Sequence, residues 1–427
     1  MAMQKILPLP TIQNWDCHTC GTCCKEYLVT VSPSEAKRVE EQNWKPEDLE
    51  GFAPLRKIGR FWSRKTVLNS RPDGSCVFLA ESGRCRMHER FGYDSKPLPC
   101  KLFPFVLIPA GKGWSVGMRY ACPSSSASLG RPMPEHLVPL RGFAQEMVAR
   151  EGMKLAEDAE VPTVAPPKVE GNPGLSWENI QALARGLTFP LARRDEPISL
   201  RIFKIQQLAK DLRRAKLGNL DTTQIGELCA ILTSHLHETV KLGDPGAQEK
   251  PNWVGMVLFR QAAAIFLRKD HGPNRGIAGQ GRLALFQAAL TFVKGKGPVP
   301  RMHHWIPEVP FEKAETPVEV WPAEVQRIFE RYLSIKLGSL QFCGATMYGF
   351  SFWEGIDFTL LTLAVQMWLY RLLRGAYPEE EAAQKALSIV DDHYGFNKVL
   401  GSLRQRISYR ILHSTGQLER LVAWYGR

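Results

Sequence analysis

The sequence predicts a mainly α protein in two parts: a small, irregular α+β domain rich in cysteine, followed by an all-α helical domain. Three observations predict this fold class. Eight of the ten cysteines lie in the first 130 residues, a Pro- and Gly-rich stretch separates the two parts, and apolar residues beyond it recur with a helical period. The expected boundaries are 1–130 for the cysteine-rich domain, 131–175 for a helix and linker, and 176–427 for the helical domain.

Two segments of the cysteine-rich part predict hairpins. CVFLAESGRCRMH is expected to turn at Ser82-Gly83, and FPFVLIPAGKGWSVGMRY is expected to turn through residues 110–113. In irregular domains of this kind, bonds between side-chain ligands and a metal often replace the stabilisation of an apolar core.

A basic stretch, RKIGRFWSRK at 56–65, interleaves five cations with Phe61 and Trp62. Such a pattern is able to stack on and neutralise nucleic acid. We favour a basic strand that packs its aromatic rings inward, and we therefore do not expect nucleic acid among the partners.

Helix signals predict the elements of residues 131–175 and of the helical domain. Residues 131–156 predict a helix, and EVPTVAPPKVEGNPGLS predicts a linker. Ser176 is a helix N-cap, and Asp221 with Gln224 forms a capping box for a helix expected to end at Gly243. Further helices are expected at 252–269, 281–294, 322–340, 355–374, 379–391 and 397–424.

Two features of the helical part bear on function. The apolar stretch 359–373 is interrupted by Gln366 and Arg371 and is shorter than the roughly 20 residues of a membrane span, so it predicts a buried helix and no membrane partner. The glycine motif Gly276-x2-Gly279-x-Gly281 precedes a helix and suits a phosphate. It follows no strand, as a dinucleotide fingerprint requires.

Composition is that of an ordinary globular protein, with 427 residues of which 44% are hydrophobic. The start, MAMQKILPLPTIQNWDC, has no signal-peptide pattern, so we expect a cytoplasmic protein with reduced thiols. The formal charge of +12 invites a nucleic-acid partner. Basic residues around negatively charged metal–thiolate centres are the competing explanation, because the cysteines lie in a basic segment.

Four cysteines occupy eight positions: Cys17, Cys20, Cys23 and Cys24. The spacing C-x2-C-x2-C lets one tight turn direct three sulfurs at one centre, as in bacterial-type ferredoxins. The next ferredoxin position is Tyr27, so Cys122, which precedes a proline, is a candidate for a remote fourth ligand.

The arrangement of centres stays open at this point. Cys23 and Cys24 would serve one centre only if the chain turned sharply there, because neighbouring side chains of an extended strand point apart. The alternatives are two four-ligand sites, one cluster with a redox or catalytic thiol pair, or one zinc and one cluster. The spacing favours an iron–sulfur cluster over zinc.

The other metal-ligand types give weaker signals. Cys229 and Cys343 are isolated, and we expect them to pack as small apolar groups. His18 and His88 lie near cysteines but are expected beside the ligands or on the surface, and His303-His304 is expected in a solvated loop.

The ordered motifs CHTCGTCC, CVFL, GRCRMHERFG and KPLPCKLFPF resemble the YkgJ-type cysteine-cluster family over residues 15–123. That family is described as a zinc- or iron-chelating domain with eight cysteines. Members often have Tyr and an Arg-Pro pair where this chain has His88 and Lys96-Pro97, which leaves His88 open as an unusual ligand. The resemblance implies eight metal ligands: Cys17, Cys20, Cys23, Cys24, Cys76, Cys85, Cys100 and Cys122.

The helical part is similar to flagellin lysine N-methylases in ERYLSIKLGSLQFCG, DFTLLTLAVQMWLYRLL and DDHYG. This resemblance implies methyl transfer from S-adenosylmethionine to lysine with help from an iron–sulfur cluster. The radical S-adenosylmethionine spacing C-x3-C-x2-C is absent, because position 27 is Tyr.

Two functions therefore compete. One is a metal-dependent protein lysine N-methyltransferase whose helical domain receives a protein substrate. The other is a non-enzymatic zinc- or iron-binding scaffold or metal-handling protein. A nucleic-acid binder using residues 56–65 is the third and weakest hypothesis.

Overall fold

The computed structural model describes residues 4–156, 159–241, 249–269, 277 and 280–427. It shows the predicted fold class, with short strands and short helices in the first part and long helices in the second. Gly243, Gly276 and Gly279 lie outside the described residues. The expected helix end at Gly243 and the first two glycines of the glycine motif are therefore not described.

The strands pair two by two, each pair antiparallel: β1 with β6, β2 with β3, β4 with β5, and β7 with β8. They are β1 (Asn14–Trp15), β2 (Leu55–Ile58), β3 (Lys65–Leu68), β4 (Phe105–Pro109), β5 (Trp114–Met118), β6 (Arg131–Pro132), β7 (Leu155–Ala156) and β8 (Ala159–Pro162).

Both predicted turns form, but only one of them joins two strands. The β4–β5 hairpin turns where expected, with Ala110 N donating to Gly113 O at 2.8 Å. The segment 76–88 turns around Ser82-Gly83, with an antiparallel bridge between Leu79 and Cys85 and with Arg86 N donating to Phe78 O at 2.8 Å, before a helix begins.

Short helices connect these strands, and a small apolar core lies among them. The helices are α1 (Thr22–Glu26), α2 (Pro33–Glu41), α3 (Arg86–Phe91), α4 (Leu98–Leu102), α5 (Pro123–Ser126) and α6 (Leu137–Glu151). The small core consists of Val31, Val39, Leu49, Leu68, Val77, Phe78 and Met87, with Cys76, Cys85 and Cys100 packed at its edge.

The prediction that the basic stretch packs its aromatic rings inward is wrong. Phe61 and Trp62 are 82% and 77% exposed in the turn between β2 and β3. The root of this hairpin, at Val67 and Leu68, is buried in the protein. The turn extends beyond that root, where no other element of the described chain covers the two rings.

The second part is built of helices, several of which match the expected boundaries closely. They are α7 (Trp177–Gly186), α8 (Ile198–Arg214), α9 (Thr222–Thr239), α10 (Trp253–Leu267), α11 (Arg282–Lys294), α12 (Glu312–Glu315), α13 (Ala323–Gly338), α14 (Phe352–Leu373), α15 (Glu379–Asp391), α16 (Leu403–Ser414) and α17 (Gln417–Gly426). The Ser176 cap and the Asp221–Gln224 capping box both form.

Two helix predictions fail. Helix α8 is not among the predicted helices, although it has a buried apolar face formed by Ile198, Ile202, Ile205 and Leu212. The helix expected over 397–424 is two helices, because Gly416 adopts a left-handed conformation (φ 68°) between them.

Helix α14 is the centre of the helical domain. It is long and apolar enough to cross a membrane by length and composition, but 94% of its most apolar window is buried within the protein. The prediction of a buried helix is confirmed. Ser351 and Glu354 close its start with a capping box.

The β4–β5 hairpin attaches the cysteine-rich part to the helices. Leu107, Trp114 and Met118 belong to the same apolar core as α13 and α14. Gly117 is needed here, because a Cβ at this position would lie 2.4 Å from Oε1 of Gln341, which accepts a hydrogen bond from Met118 N at 3.1 Å. The cysteines are thereby held against the helical domain.

Candidate metal centre

A sharp turn brings two cysteines of the first motif together. Gly21 precedes α1 in a left-handed conformation (φ 70°), and Cys23 and Cys24 lie on that short helix. Their Sγ atoms are 3.9 Å apart. Two sulfurs bound at about 2.3 Å to one tetrahedral ion would be about 3.8 Å apart. Of the alternatives left open by the sequence, this spacing favours one centre for the pair.

The loop around Cys76 and Cys85 lies directly against this helix. Cys76 N donates to Cys24 O at 2.7 Å. A Cβ on Gly83 would lie 2.3 Å from the carbonyl oxygen of Thr19, so the loop can approach the first motif only with glycine there.

Arg71 fixes the carbonyl groups of the same loop. Its guanidinium donates to Cys76 O at 2.7 Å and to Leu79 O at 2.9 Å. Glu50 accepts from Arg71 Nε and Nη2 at 2.7 and 2.8 Å, so the guanidinium is held in place. These bonds fix the backbone of the loop, in addition to the burial of Val77 and Phe78 in the small core.

Cys100 is held by a buried carboxylate. It lies on α4, whose first backbone N–H, that of Leu98, donates to Oε1 of Glu35 at 2.7 Å. Arg150 Nη1 lies 3.1 Å from both oxygens of Glu35 and compensates its charge. The position of Cys100 therefore depends on α2 and α6 as well as on its own helix.

Cys122 is held by the helical domain. Asp391 Oδ2 accepts a hydrogen bond from Tyr120 N at 2.5 Å, and Asp391 Oδ1 lies 2.6 Å from Nζ of the buried Lys336. Lys336 also donates to Met118 O at 2.8 Å. This network places Cys122 on the side of the cluster near Cys23, whose charge contributes to raising the pKa of Cys122.

Cys17 and Cys20 are exposed, and the structure does not bring them onto the cavity wall described below. His18 Nδ1 contacts Asp16 O at 2.9 Å, and His88 is exposed with its ring against the edge of Tyr93. Cys229 and Cys343 are buried away from the cluster, as predicted.

Burial favours the neutral thiols. It raises the pKa of Cys76 to about 12, and it raises the pKa values of Cys100 and Cys122. A hydrogen bond with Cys24, together with burial, raises the pKa of Cys23. A bound cation would have to displace these protons, and the positive charge of Lys96 opposes the rise at Cys23 and Cys100.

The cysteines open into a cavity of about 800 Å³ between the two parts of the chain. On one wall lie five of the eight cysteines: Cys23, Cys24, Cys76, Cys85 and Cys100. The opposite wall belongs to the helical domain: Lys269, Asp392, His393, Phe396, Asn397 and Lys398.

A charged network crosses the cavity and joins its walls. Lys269 Nζ is 2.8 Å from Glu26 Oε2 and 2.7 Å from Asp392 Oδ2, and Tyr27 donates to Asp392 Oδ1 at 2.7 Å. Burial opposes ionisation of Asp392, but Lys269, His393 and Arg119 outweigh it and hold the pKa of that carboxyl below its ordinary value.

Arg119 completes the wall with stacked rings. Its guanidinium carbon is 3.8 Å from the ring centre of Phe396, 4.8 Å from that of Tyr27 and 5.5 Å from that of Phe103. Sequence reasoning missed Lys269, Arg119 and Asp392. Two sequence signals were available. One is the DDHYG motif, which contains Asp392, and the other is Tyr27, which stands where a ferredoxin-like motif would have its next cysteine.

The donor set fits zinc or iron by its chemistry, because thiolates are the ligands that both metals accept in tetrahedral sites. In the described part of the chain, no group of three or more Cys, His, Asp or Glu side chains is arranged to hold an ion as it stands. Binding would therefore draw further sulfurs towards the Cys23–Cys24 pair, and metal binding and local ordering would be coupled.

Residues 16–123 match the family model "CxxCxxCC: Putative zinc- or iron-chelating domain". The match confirms the expected resemblance to a zinc- or iron-chelating cysteine-cluster domain and covers about a quarter of the chain. It supports a zinc- or iron-chelating cysteine cluster in this CxxCxxCC domain. A search of the curated proteins and a search of the solved structures gave no match.

Proposed function

We propose that the CxxCxxCC domain holds iron, as an iron–sulfur cluster, or zinc, and that the centre acts on a molecule bound in the adjoining cavity. The observation that carries this proposal is the cavity itself. Structural zinc sites are closed by four protein ligands, whereas catalytic centres keep a position open to substrate. Here five cysteines line a space of about 800 Å³, which lies within the range of small-molecule pockets.

All eight cysteines of the domain are the proposed ligand set. Cys23 and Cys24 have the spacing of two ligands on one ion, while Cys17 and Cys20 lie on an exposed segment that would fold over the centre. The metal would supply a Lewis acid or a redox centre. The chain's own residues Lys269 and Asp392, on the opposite wall, and Arg119, which follows β5, would orient the bound molecule.

A protein is the proposed substrate, because an apolar stripe leads away from the cavity. Phe396 lines the cavity and is exposed, and further exposed apolar residues follow it at spacings of three or four, along the chain and then along α16. The stripe is Phe396, Val399, Leu403, Ile407 and Ile411. Residues at this spacing share one face of a helix and suit an apolar partner segment.

The most specific form of the proposal is methyl transfer from S-adenosylmethionine to a lysine of the docked protein. Its support is the sequence resemblance of the helical part together with a cavity large enough for the donor. The alternative is a metal-handling or scaffold protein. The small core of the CxxCxxCC domain favours this alternative, because such a core needs a metal for stability alone.

The test is an anaerobic preparation of the full chain, assayed for zinc, iron, acid-labile sulfide and visible absorption. Calorimetry with S-adenosylmethionine follows on the metallated protein, on Cys23→Ser and on the control Cys343→Ala, whose sulfur lies in the helical core. We expect donor binding in the wild type and the control and its loss in Cys23→Ser. Metallated protein that binds no donor would refute methyl transfer, and protein without metal would refute the whole proposal.

A further inference from the structure

The β2–β3 hairpin presents two bare aromatic rings at its tip. Phe61 and Trp62 occupy a single 3₁₀ turn and are 82% and 77% exposed. Large apolar side chains grouped on the surface mark interaction sites. The tip, which we define as residues 59–64, contributes no residue to the lining of the cysteine cavity.

The hairpin is also strongly basic. Residues 55–68 contain five cations and no carboxylate, and within the described chain none of the five forms an ion pair. They are Arg56, Lys57, Arg60, Arg64 and Lys65. Unneutralised cations next to exposed rings call for a partner that is both anionic and apolar.

The tip is built as a firm projection. Gly59 has φ 95°, and a Cβ there would lie 2.7 Å from Ser63 O, so the turn depends on glycine. Ser63 N donates to Arg60 O at 2.8 Å. At the root, Leu68 N donates to Val29 O at 2.9 Å and the Leu68 side chain lies in the small core. A tip that is already ordered loses little entropy on binding.

We propose that this tip inserts into the surface of an anionic lipid bilayer. Aromatic rings with a polar edge or cationic neighbours lie stably at the headgroup level, and Lys and Arg beside them attract anionic lipids. The inference does not depend on the metal. It concerns attachment to a membrane surface, since α14 is buried within the protein.

Two contacts favour a bilayer over single-stranded nucleic acid. The guanidinium carbon of Arg60 lies 5.7 Å from the ring centre of Trp62, and that of Arg64 lies 5.6 Å from the ring centre of Phe61. Each cation occupies one face of its ring and thereby reduces the ring surface on which a base could stack. A bilayer surface accepts each ring together with its cation.

The experiment is sedimentation of the full chain with vesicles of phosphatidylcholine alone or with about 30% phosphatidylglycerol. The variants are Phe61→Ser/Trp62→Ser, Arg60→Gln/Arg64→Gln and the control Trp253→Ser, which removes a ring that is 75% exposed on α10. We expect binding to the anionic vesicles only, weakened by salt. The ring variant should bind at least roughly tenfold more weakly, and the control should bind like the wild type.

Each other outcome overturns the inference. These are no binding of the wild type to anionic vesicles, equal binding to neutral ones, or undiminished binding of both the ring and arginine variants. A single-stranded oligonucleotide bound through the same rings, with vesicles ignored, would assign the tip to nucleic acid instead. Circular dichroism and the melting temperature verify that the variants, all changed at exposed positions, are folded.

Discussion

The helical domain and the CxxCxxCC domain are stabilised in different ways. Helix α14 buries 20 of its 22 residues, and around it lies a continuous core that reaches from the β4–β5 hairpin to α17. The core beside the cysteines contains seven buried apolar residues. Burial of apolar surface alone is enough to stabilise the helical domain, whereas the CxxCxxCC domain depends on other bonds.

Those other bonds are polar and are directed at the cysteine loops. Arg71 holds carbonyl groups of the loop after Cys76, Glu35 holds the start of α4, and Asp391 holds the segment before Cys122. The cysteine-rich part therefore has a defined backbone but little apolar stabilisation of its own. A metal would supply what is missing.

Removal of the metal should give the largest effect. Chelation, or Cys23→Ser with Cys24→Ser, should expose amides of residues 16–102 to hydrogen exchange while those of α14 remain protected. The reason is that a structural metal contributes about 10–16 kcal/mol, which a core of this size cannot replace. Hydrogen exchange followed by mass spectrometry measures both regions in one sample.

The control for this prediction is Cys343→Ala, which removes a buried thiol from the other core. It should leave the metal content and the exchange of residues 16–102 unchanged. If the cysteine loops stayed protected without metal, the contrast between the two parts would disappear.

Asp391→Asn should give the second largest effect, because it leaves the charge of Lys336 buried without its partner. Both side chains are essentially inaccessible, and their Nζ and Oδ1 atoms lie 2.6 Å apart. Burial already lowers the pKa of Lys336 to about 8. Breaking such a pair costs about 3–5 kcal/mol of the free energy of unfolding, measured by denaturant titration.

Glu381→Gln is the matched control, since it breaks an ion pair with Lys385 that is partly exposed on the same helix. It should cost less than about 1 kcal/mol. Lys336→Met in the Asp391→Asn chain should restore part of the loss, and a failure to restore any would argue against the buried charge as the cause.

The smallest predicted effect is a dependence of stability on pH that arises at His303. Burial, with a contribution from His304, lowers the pKa of His303 to about 2, and its Nδ1 accepts a hydrogen bond from Trp305 N at 3.2 Å. The unfolded chain binds a proton at this histidine below pH about 6.5, but the folded chain does not. The free energy of unfolding should therefore decrease as the pH is lowered below that value, by at most about 1.4 kcal/mol per pH unit.

Melting temperatures of the wild type and His303→Gln from neutral pH down to about pH 4.5 test this, because the variant should have the shallower slope. His235→Gln changes an exposed histidine on α9 and should keep the wild-type slope. Parallel curves for wild type and His303→Gln would show that another group carries the dependence.

Local patterns allowed much of the fold to be predicted. The Ser176 cap, the Asp221–Gln224 box and the turn after Pro109 rest on contacts within a few residues, so they could be read directly from the chain. Helix α8 was missed although its apolar spacing was visible. The exposure of Phe61 and Trp62 could not be predicted, because it depends on what lies beyond the hairpin.

The cavity likewise combines features that local sequence predicts with features that depend on distant contacts. The motifs name the cysteines, and the sharp turn at Gly21 decides that Cys23 and Cys24 come together. Lys269 carries no local signal, and Asp392 lies in the DDHYG motif, but neither pattern shows which segment the side chain meets. They contact Glu26 and Tyr27 across more than 240 residues.

The sequence by itself determined the fold class, the two-part order and the clustering of eight cysteines in the first part, because residue type and short-range spacing decide these properties. Only the tertiary structure decided that five of the clustered cysteines open into one cavity, that Lys269 and Asp392 lie on its other wall, and that Arg119 lines the same space. The physical reason is that contacts between distant segments depend on how the cores pack, and packing depends on the whole chain.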